Sequence, residues 1–303
     1  MLRCTLAGLI PLMMSEKYSS SADEFYQSQK TDFDRILKTK SYFLLRDLPI
    51  KISSQILLPE IPNILLKQKN DGCWSNSLRV TFDILSALKH VRCLCDLDSN
   101  KKMIKLREKI ADWRDYDSLL LKLKIFGQTD SDDANKMNEL IKQIQDTQNP
   151  DGSWEGTIVS TIYHVERLVN LEVPCDDKSV TKATGFLIDQ LSTNWKRLQN
   201  LREAKGLKNQ NDFLRQNRVL DFEAARKYKK EFAPKSVCYT RLGIIQNSLS
   251  LKLLIQLGLE KDDNVKSALD STYSVYMRYN SLCYFRIRKR ISADKRKHSP
   301  KNS

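Results

Sequence analysis

Turn formers are scarce in this chain, with 9 Gly and 8 Pro in 303 residues. A many-stranded sandwich or barrel needs a tight turn about every 8–12 residues. Their scarcity excludes that class and suits long helices. Long apolar runs are also missing; none approaches the roughly 18–20 residues of a membrane-spanning helix. Cysteine is present but odd in number: Cys4, Cys73, Cys93, Cys95, Cys175, Cys238 and Cys283. An odd count in a long chain argues against a disulfide framework and for a reducing, cytoplasmic setting. Hydrophobic residues make up 41% and charged residues 29%, a folded rather than a disordered balance.

The formal charge is +14, and it is uneven. Residues 286–303 carry eight basic residues against Asp294 alone, and residues 196–230 carry eleven basic and four acidic ones. Such segments attract nucleic acid, an anionic membrane or anionic substrates. For residues 286–303 a solvated, Lys-rich terminus is the plainer reading, since no aromatic residues interleave the charges there for base stacking. Residues 1–18 read as a disordered leader or a misassigned start. The stretch MLRCTLAGLIPLMM has one Arg, a short apolar part and no small-x-small cleavage site, and Met13 and Met14 offer a later initiator. The chain then divides into a helical domain over 19–285 and a disordered basic tail over 286–303.

The four Trp residues, Trp74, Trp113, Trp154 and Trp195, are separated by 39, 41 and 41 positions. A period near 40 is two helices and two turns, the mark of stacked helical hairpins. Two copies of one pattern support it: Gln68, Asp71, Gly72 and Trp74, and 80 residues later Gln148, Asp151, Gly152 and Trp154. Each reads Q-x-x-D-G-x-W. A third copy, from Lys182 through Phe186 to Trp195, is worn, and around Trp113 only the Trp survives. Asp-Gly breaks helices sharply, because Gly accepts the left-handed conformation and Asp supplies a turn acceptor. The apolar periodicity predicts outer helices over 53–68, 100–112, 132–147, 177–192, 219–232 and 263–278. More apolar, inner helices are predicted over 34–46, 77–92, 116–126, 157–171 and 237–257. Eleven or twelve helices in alternating hairpins form an open solenoid or close into a ring; the apolar inner set favours two concentric layers.

The two Q-x-x-D-G-x-W segments, with Pro234 to Tyr239 and Leu257-Gly-Leu-Glu260, resemble the superfamily of terpenoid cyclases and protein prenyltransferase β subunits. The resemblance covers residues 50–285. It implies an all-α fold, an α/α toroid whose inner helices surround a cavity for an isoprenoid-like apolar ligand. The thioester sequence of complement-type toroids is absent. In class II cyclases the central Asp of Asp-x-Asp-Asp protonates an alkene. Asp130-Ser131-Asp132-Asp133 matches that text, so the resemblance makes Asp132 the proton donor, tuned by Asp130 and Asp133. The competing reading is a helix start after Gly127, with acidic caps.

Zinc-dependent prenyltransferases use an Asp-x-Cys pair and a later His. Here Ser236-Val237-Cys238 has Ser in place of the carboxylate, and the only later His is His298. His90, Cys93, Cys95 and Asp96 have zinc-compatible chemistry but compressed spacing. No metal site and no cofactor are therefore assigned. Tyr163 and His164 on one inner helix, and Tyr239 and Arg241 on another, are candidate ligand contacts. Arg241 suits a diphosphate or carboxylate, and an inner-helix His is equally a satisfied core residue. Asp115 and Asp117 cap the helix that follows, or hold magnesium at a cavity mouth. The expected function is a terpenoid cyclase- or prenyltransferase-like protein acting on such a ligand. Two rivals are kept: a non-catalytic toroid scaffold for a protein partner, and a basic helical protein on nucleic acid or membrane.

Overall fold

A computed structural model describes residues 9–28, 30, 42–94, 100–204, 241–270 and 272–273. Within them, the side chains of 43, 44 and 192–204, and those of 241–246, are not described. The described residues are helical and contain no strand, only isolated bridges between Gln68 and Trp74 and between Trp154 and Thr157. The all-α class holds. The chain divides into two units, residues 26–187 and residues 3–25 with 188–303.

In the unit spanning 26–187, α3 (Tyr42–Leu45) precedes α4 (Ile50–Leu57), a tight 3₁₀ turn over Leu58–Glu60, and α5 (Ile61–Leu66). A single helix was expected over 53–68. Pro59 and Pro62 each stand at the start of a new segment, where the ring is tolerated because its missing N–H would be unpaired anyway. There follow α6 (Leu78–His90), α7 (Lys101–Ile110), α8 (Tyr116–Leu120, continuing as a π-helix over Leu121–Phe126), α9 (Ser131–Asp146) and α10 (Ile158–Asn170). These lie within a residue or two of the expected bounds.

The inner set forms a row within this unit. Helix α3 packs on α6, and α6 packs on both parts of α8. Helix α10 reaches α8 through Asn170, whose Nδ2 donates to the Tyr116 hydroxyl at 3.4 Å, and through the Lys124–Glu172 ion pair at 2.7 Å. Apolar faces explain the row: Phe82, Leu85 and Leu88 of α6 and Ile162, Val165 and Leu168 of α10 are all buried, at the three- and four-residue spacings of one helix face.

Helix α11 (Lys178–Ala204) runs well past the expected end at 192. Trp195, the marker of the worn third repeat, lies inside that helix. No Asp-Gly pair precedes it, so nothing breaks the backbone there. The expected helix over 219–232, most of that over 34–46, Tyr239 and the tail 286–303 lie outside the described residues.

The other unit differs from expectation at its N-terminal end. Residues 9–14 (α1) are helical and Leu9, Ile10, Leu12 and Met13 are buried, so a disordered leader over 1–18 does not describe residues 9–18. After α2 (Ser19–Ser28), the described chain resumes with α12 (Arg241–Gln256), a 3₁₀ turn over Leu259–Lys261 and a helix over 263–270. Tyr18 clasps the two ends together. Its ring stacks on Tyr273 at 4.4 Å and its hydroxyl donates to Asp270 at 2.5 Å, while Lys17 pairs with the same carboxylate at 2.9 Å.

Candidate functional site

The repeated motif is built bond for bond in both copies. Gln68 Nε2 donates to the Gly72 carbonyl at 2.9 Å, and Gln148 Nε2 to that of Gly152 at 3.0 Å. The Asp71 carboxylate accepts from the Cys73 N–H at 3.1 Å, and that of Asp151 from the Ser153 N–H at 3.0 Å. The Trp74 indole donates to Ile64 O at 2.7 Å and the Trp154 indole to Ile144 O at 2.8 Å. Both rings are buried, at 3% and 1% exposure, whereas Trp113 is 43% exposed. Among the tryptophans whose side chains are described, two are structurally equivalent; Trp113 is not a third.

Gly72 and Gly152 have φ of +84° and +86°. A Cβ there would sit 2.2 Å from Lys102 O and 2.3 Å from Lys182 O. Each turn is thus seated directly on the backbone of the next outer helix, and only Gly fits. Lys102 Nζ returns a bond to Gln68 O at 2.6 Å, and Gln148 Nε2 donates to Ser179 O at 2.8 Å.

The equivalence extends beyond the residues legible as a motif. Ser77 and Thr157 cap α6 and α10. Thr81 and Thr161 accept from the Trp74 and Trp154 N–H groups at 3.0 and 3.1 Å. Arg92 and Glu172 end the two inner helices at φ of +61° and +66°. All these pairs are 80 residues apart, and comparing the sequence with itself at that offset would have found them.

The Asp130-Ser-Asp-Asp133 segment is a helix start. Asp130 Oδ1 accepts from the Asp133 N–H at 2.7 Å and Asp133 Oδ2 from the Asp130 N–H at 3.2 Å, a reciprocal capping box. The Asp133 N–H bond, with Arg114 nearby, holds the Asp130 carboxyl below its usual range. Asp133 is 2% exposed and meets Lys122 Nζ and Arg114 Nε, each at 2.9 Å. Lys122, at 7% exposure, spends its other two protons on Ala111 O at 2.6 Å and Trp113 O at 3.0 Å. Asp132, the expected proton donor, is exposed on the first turn of α9. A carboxylate there complements the helix dipole; the dry apolar surroundings of a cyclase acid are not built around it.

Tyr163 and His164 part company. His164 stacks on Trp154 at 5.3 Å, and burial pushes its imidazole below the usual value. It belongs to the motif's interior. Tyr163 is 52% exposed and lies along the inner row with residues that the sequence did not single out. Arg167 stands over the Tyr116 ring at 4.4 Å and the Tyr163 ring at 5.4 Å. Arg79 lies 3.6 Å from Asp83 and 3.8 Å from Asp117. Burial raises the carboxyls of both Asp83 and Asp117, and the phenol of Tyr116, despite the arginines around them. The signal in the sequence was two i,i+4 pairs, Arg79/Asp83 and Tyr163/Arg167, on otherwise apolar helices.

Asp115 caps α8, accepting from the Asp117 and Ser118 N–H groups at 3.1 and 3.2 Å, and Asp117 lies 3.8 Å from Arg79. His90 bonds Leu48 O at 2.9 Å; Cys95 and Asp96 lie outside the described residues. Cys73 and Cys175 are free. Among the described residues no group of three His, Cys, Asp or Glu side chains could hold a metal ion. Nor is any described helix long and apolar enough to cross a membrane. Arg241 opens α12, with its side chain outside the described set. The chain matches no family model, no curated protein and no solved structure.

Proposed function

We propose that this protein is a non-catalytic scaffold built from the helical hairpins of an α/α toroid, binding a partner protein on the face of its inner helices. The observation that carries the reading is the use made of the only Asp-x-Asp-Asp segment. Asp130 and Asp133 are spent on a capping box and on Arg114 and Lys122, and Asp132 faces water. A cyclase acid has to be neutral and sheltered before it can protonate an alkene. Surface chemistry favours the same side: Tyr and Arg are the residues that concentrate in protein-binding hot spots, and Tyr163, Arg79 and Arg167 share the inner row.

The terpenoid cyclase or prenyltransferase reading, with an isoprenoid-like ligand in a central cavity, is the alternative that one experiment separates. Full-length protein is incubated with magnesium and with prenyl diphosphates or linear triterpenes, alongside Asp132→Asn. No cyclised or transferred product is expected from either. A product made by the parent and lost in Asp132→Asn overturns the scaffold reading.

A second reading has one observation behind it. Residues 188–303 hold 25 basic and 11 acidic residues, whereas residues 26–187 hold 24 and 23. Polyanion binding by the basic half would fall steeply with salt and would be lost on deleting residues 286–303.

A further inference from the structure

We propose that Asp83 and Asp117 form the receptor for a lysine or arginine side chain of a partner peptide, with Tyr163, Tyr116 and Arg167 as its wall. The proposal deepens the scaffold reading by naming the partner's chemistry.

The two carboxylates come from neighbouring inner helices, α6 and α8, and share one cation. Arg79 lies 3.6 Å from Asp83 and 3.8 Å from Asp117, too far for a hydrogen bond to either. Asp83 is 18% exposed, and among the described residues its buried Oδ1 accepts no hydrogen bond. A half-buried carboxylate without donors is an expensive arrangement to keep in a fold. Arg79 is itself 41% exposed and its guanidinium also approaches the Phe82 ring at 5.8 Å. It can swing outward without leaving a buried cation behind.

An incoming ammonium or guanidinium would supply a donor to Asp83 Oδ1 and a second cation to the carboxylate pair. Its aliphatic stem would lie along Tyr163, which already presents half of its surface to solvent. Arg167 is held between two tyrosine rings, and its buried Nε lacks an acceptor among the described residues. Burial raises both Asp carboxyls even though Arg79, Arg46 and Arg167 oppose the shift. The resident cations under-compensate the site, and an added one is favoured there, while an added anion is not.

The test uses the full chain and fluorophore-labelled, end-blocked hexalysine at moderate salt, read by anisotropy. The unit that carries the site is nearly neutral, with 24 basic and 23 acidic residues over 26–187, so the variants are what separate binding at this site from general attraction. Saturable binding is expected, weakened at least tenfold in Asp83→Asn/Asp117→Asn and unchanged in Asp132→Asn. Carbodiimide coupling of the bound peptide, mapped by mass spectrometry, should mark Asp83 or Asp117. The isosteric double variant removes two poorly satisfied charges, so it keeps its fold, which circular dichroism checks. Absence of saturable binding, equal affinity in the double variant, or coupling confined to other carboxylates each overturns the proposal. Prenyl turnover lost in Asp132→Asn would sink the scaffold reading whatever hexalysine does. Failure of hexalysine with no turnover would sink this inference alone.

Discussion

Two charged clusters lie on the same run of helices and are treated in opposite ways. Around Asp133, a nearly inaccessible carboxylate meets a lysine and an arginine at 2.9 Å, and every proton of that lysine is spent. Around Asp83, a half-buried carboxylate keeps an oxygen without a donor among the described residues and shares one arginine at 3.6–3.8 Å with Asp117. The first cluster looks like catalysis in the sequence and is architecture in the fold. Of the second, the sequence singled out Asp117 alone, and it is the cluster left chemically open. A buried polar network is stabilising only when complete, so completeness is the property that separates the two.

Removing one partner of the complete cluster should give the largest effect. Lys122→Met takes a donor from Asp133, Ala111 O and Trp113 O and leaves Arg114 as the donor to all three, and about 3–5 kcal/mol of stability should be lost in urea unfolding. Lys122→Met combined with Asp133→Leu should recover part of that loss, because the under-paired buried charge is gone. A double variant no better than Lys122→Met alone would show that the carbonyl bonds matter more than the ion pair.

The repeated turn comes next. Gly72→Ala and Gly152→Ala impose a left-handed backbone on a residue with a Cβ and push that Cβ to 2.2–2.3 Å from a carbonyl oxygen. About 2–5 kcal/mol should be lost from each. Gly127→Ala has φ of +63° but open space around it, so about 1 kcal/mol is expected. Equal losses at all three sites would mean that the seating on the next outer helix contributes nothing.

Much of this was legible in the sequence. Asp-Gly-x-Trp located both turns because their requirements are local: one left-handed Gly, one Asp acceptor and one large ring. Helix bounds at 116–126 and 157–171 followed from apolar spacing alone. What could not be read was orientation. Tyr163 and His164 are adjacent, yet about 100° apart on a helix, so one faces solvent and the other stacks on Trp154. The Asp83–Arg79–Asp117 arrangement depends on which helices become neighbours, information that no single helix carries. Trp113 and Trp195 misled because period alone does not specify a turn; the Asp-Gly pair does.

A smaller effect should come from the open cluster, with the opposite sign from the closed one. Because burial raises Asp83 and Asp117, the folded state holds these protons more tightly than the unfolded chain. Their contribution therefore improves as pH falls from above the raised values toward the unfolded value near 3.9, and worsens as pH rises through that window. Asp83→Asn should leave the protein as stable at pH 7 or about 1 kcal/mol more so, and should flatten this part of the pH profile. Asp130 and Asp71, whose carboxyls are lowered, run the other way: their contribution is present above the unfolded value and lost as pH falls toward the folded one. A loss of several kcal/mol in Asp83→Asn would place that carboxylate with the closed cluster after all.

The smallest effect belongs to the residue with the strongest claim to chemistry. Asp132 is one position from Asp133, yet it faces water on the first turn of α9, where only the helix dipole responds to its charge. Asp132→Asn should change stability by no more than about 0.5 kcal/mol, a small fraction of the Lys122→Met loss. If Asp132→Asn instead markedly stabilises the protein, its carboxylate was being held at a cost, as functional groups are. That outcome would return the proton-donor reading to the front, and with it a state of the protein in which this turn is sheltered from water.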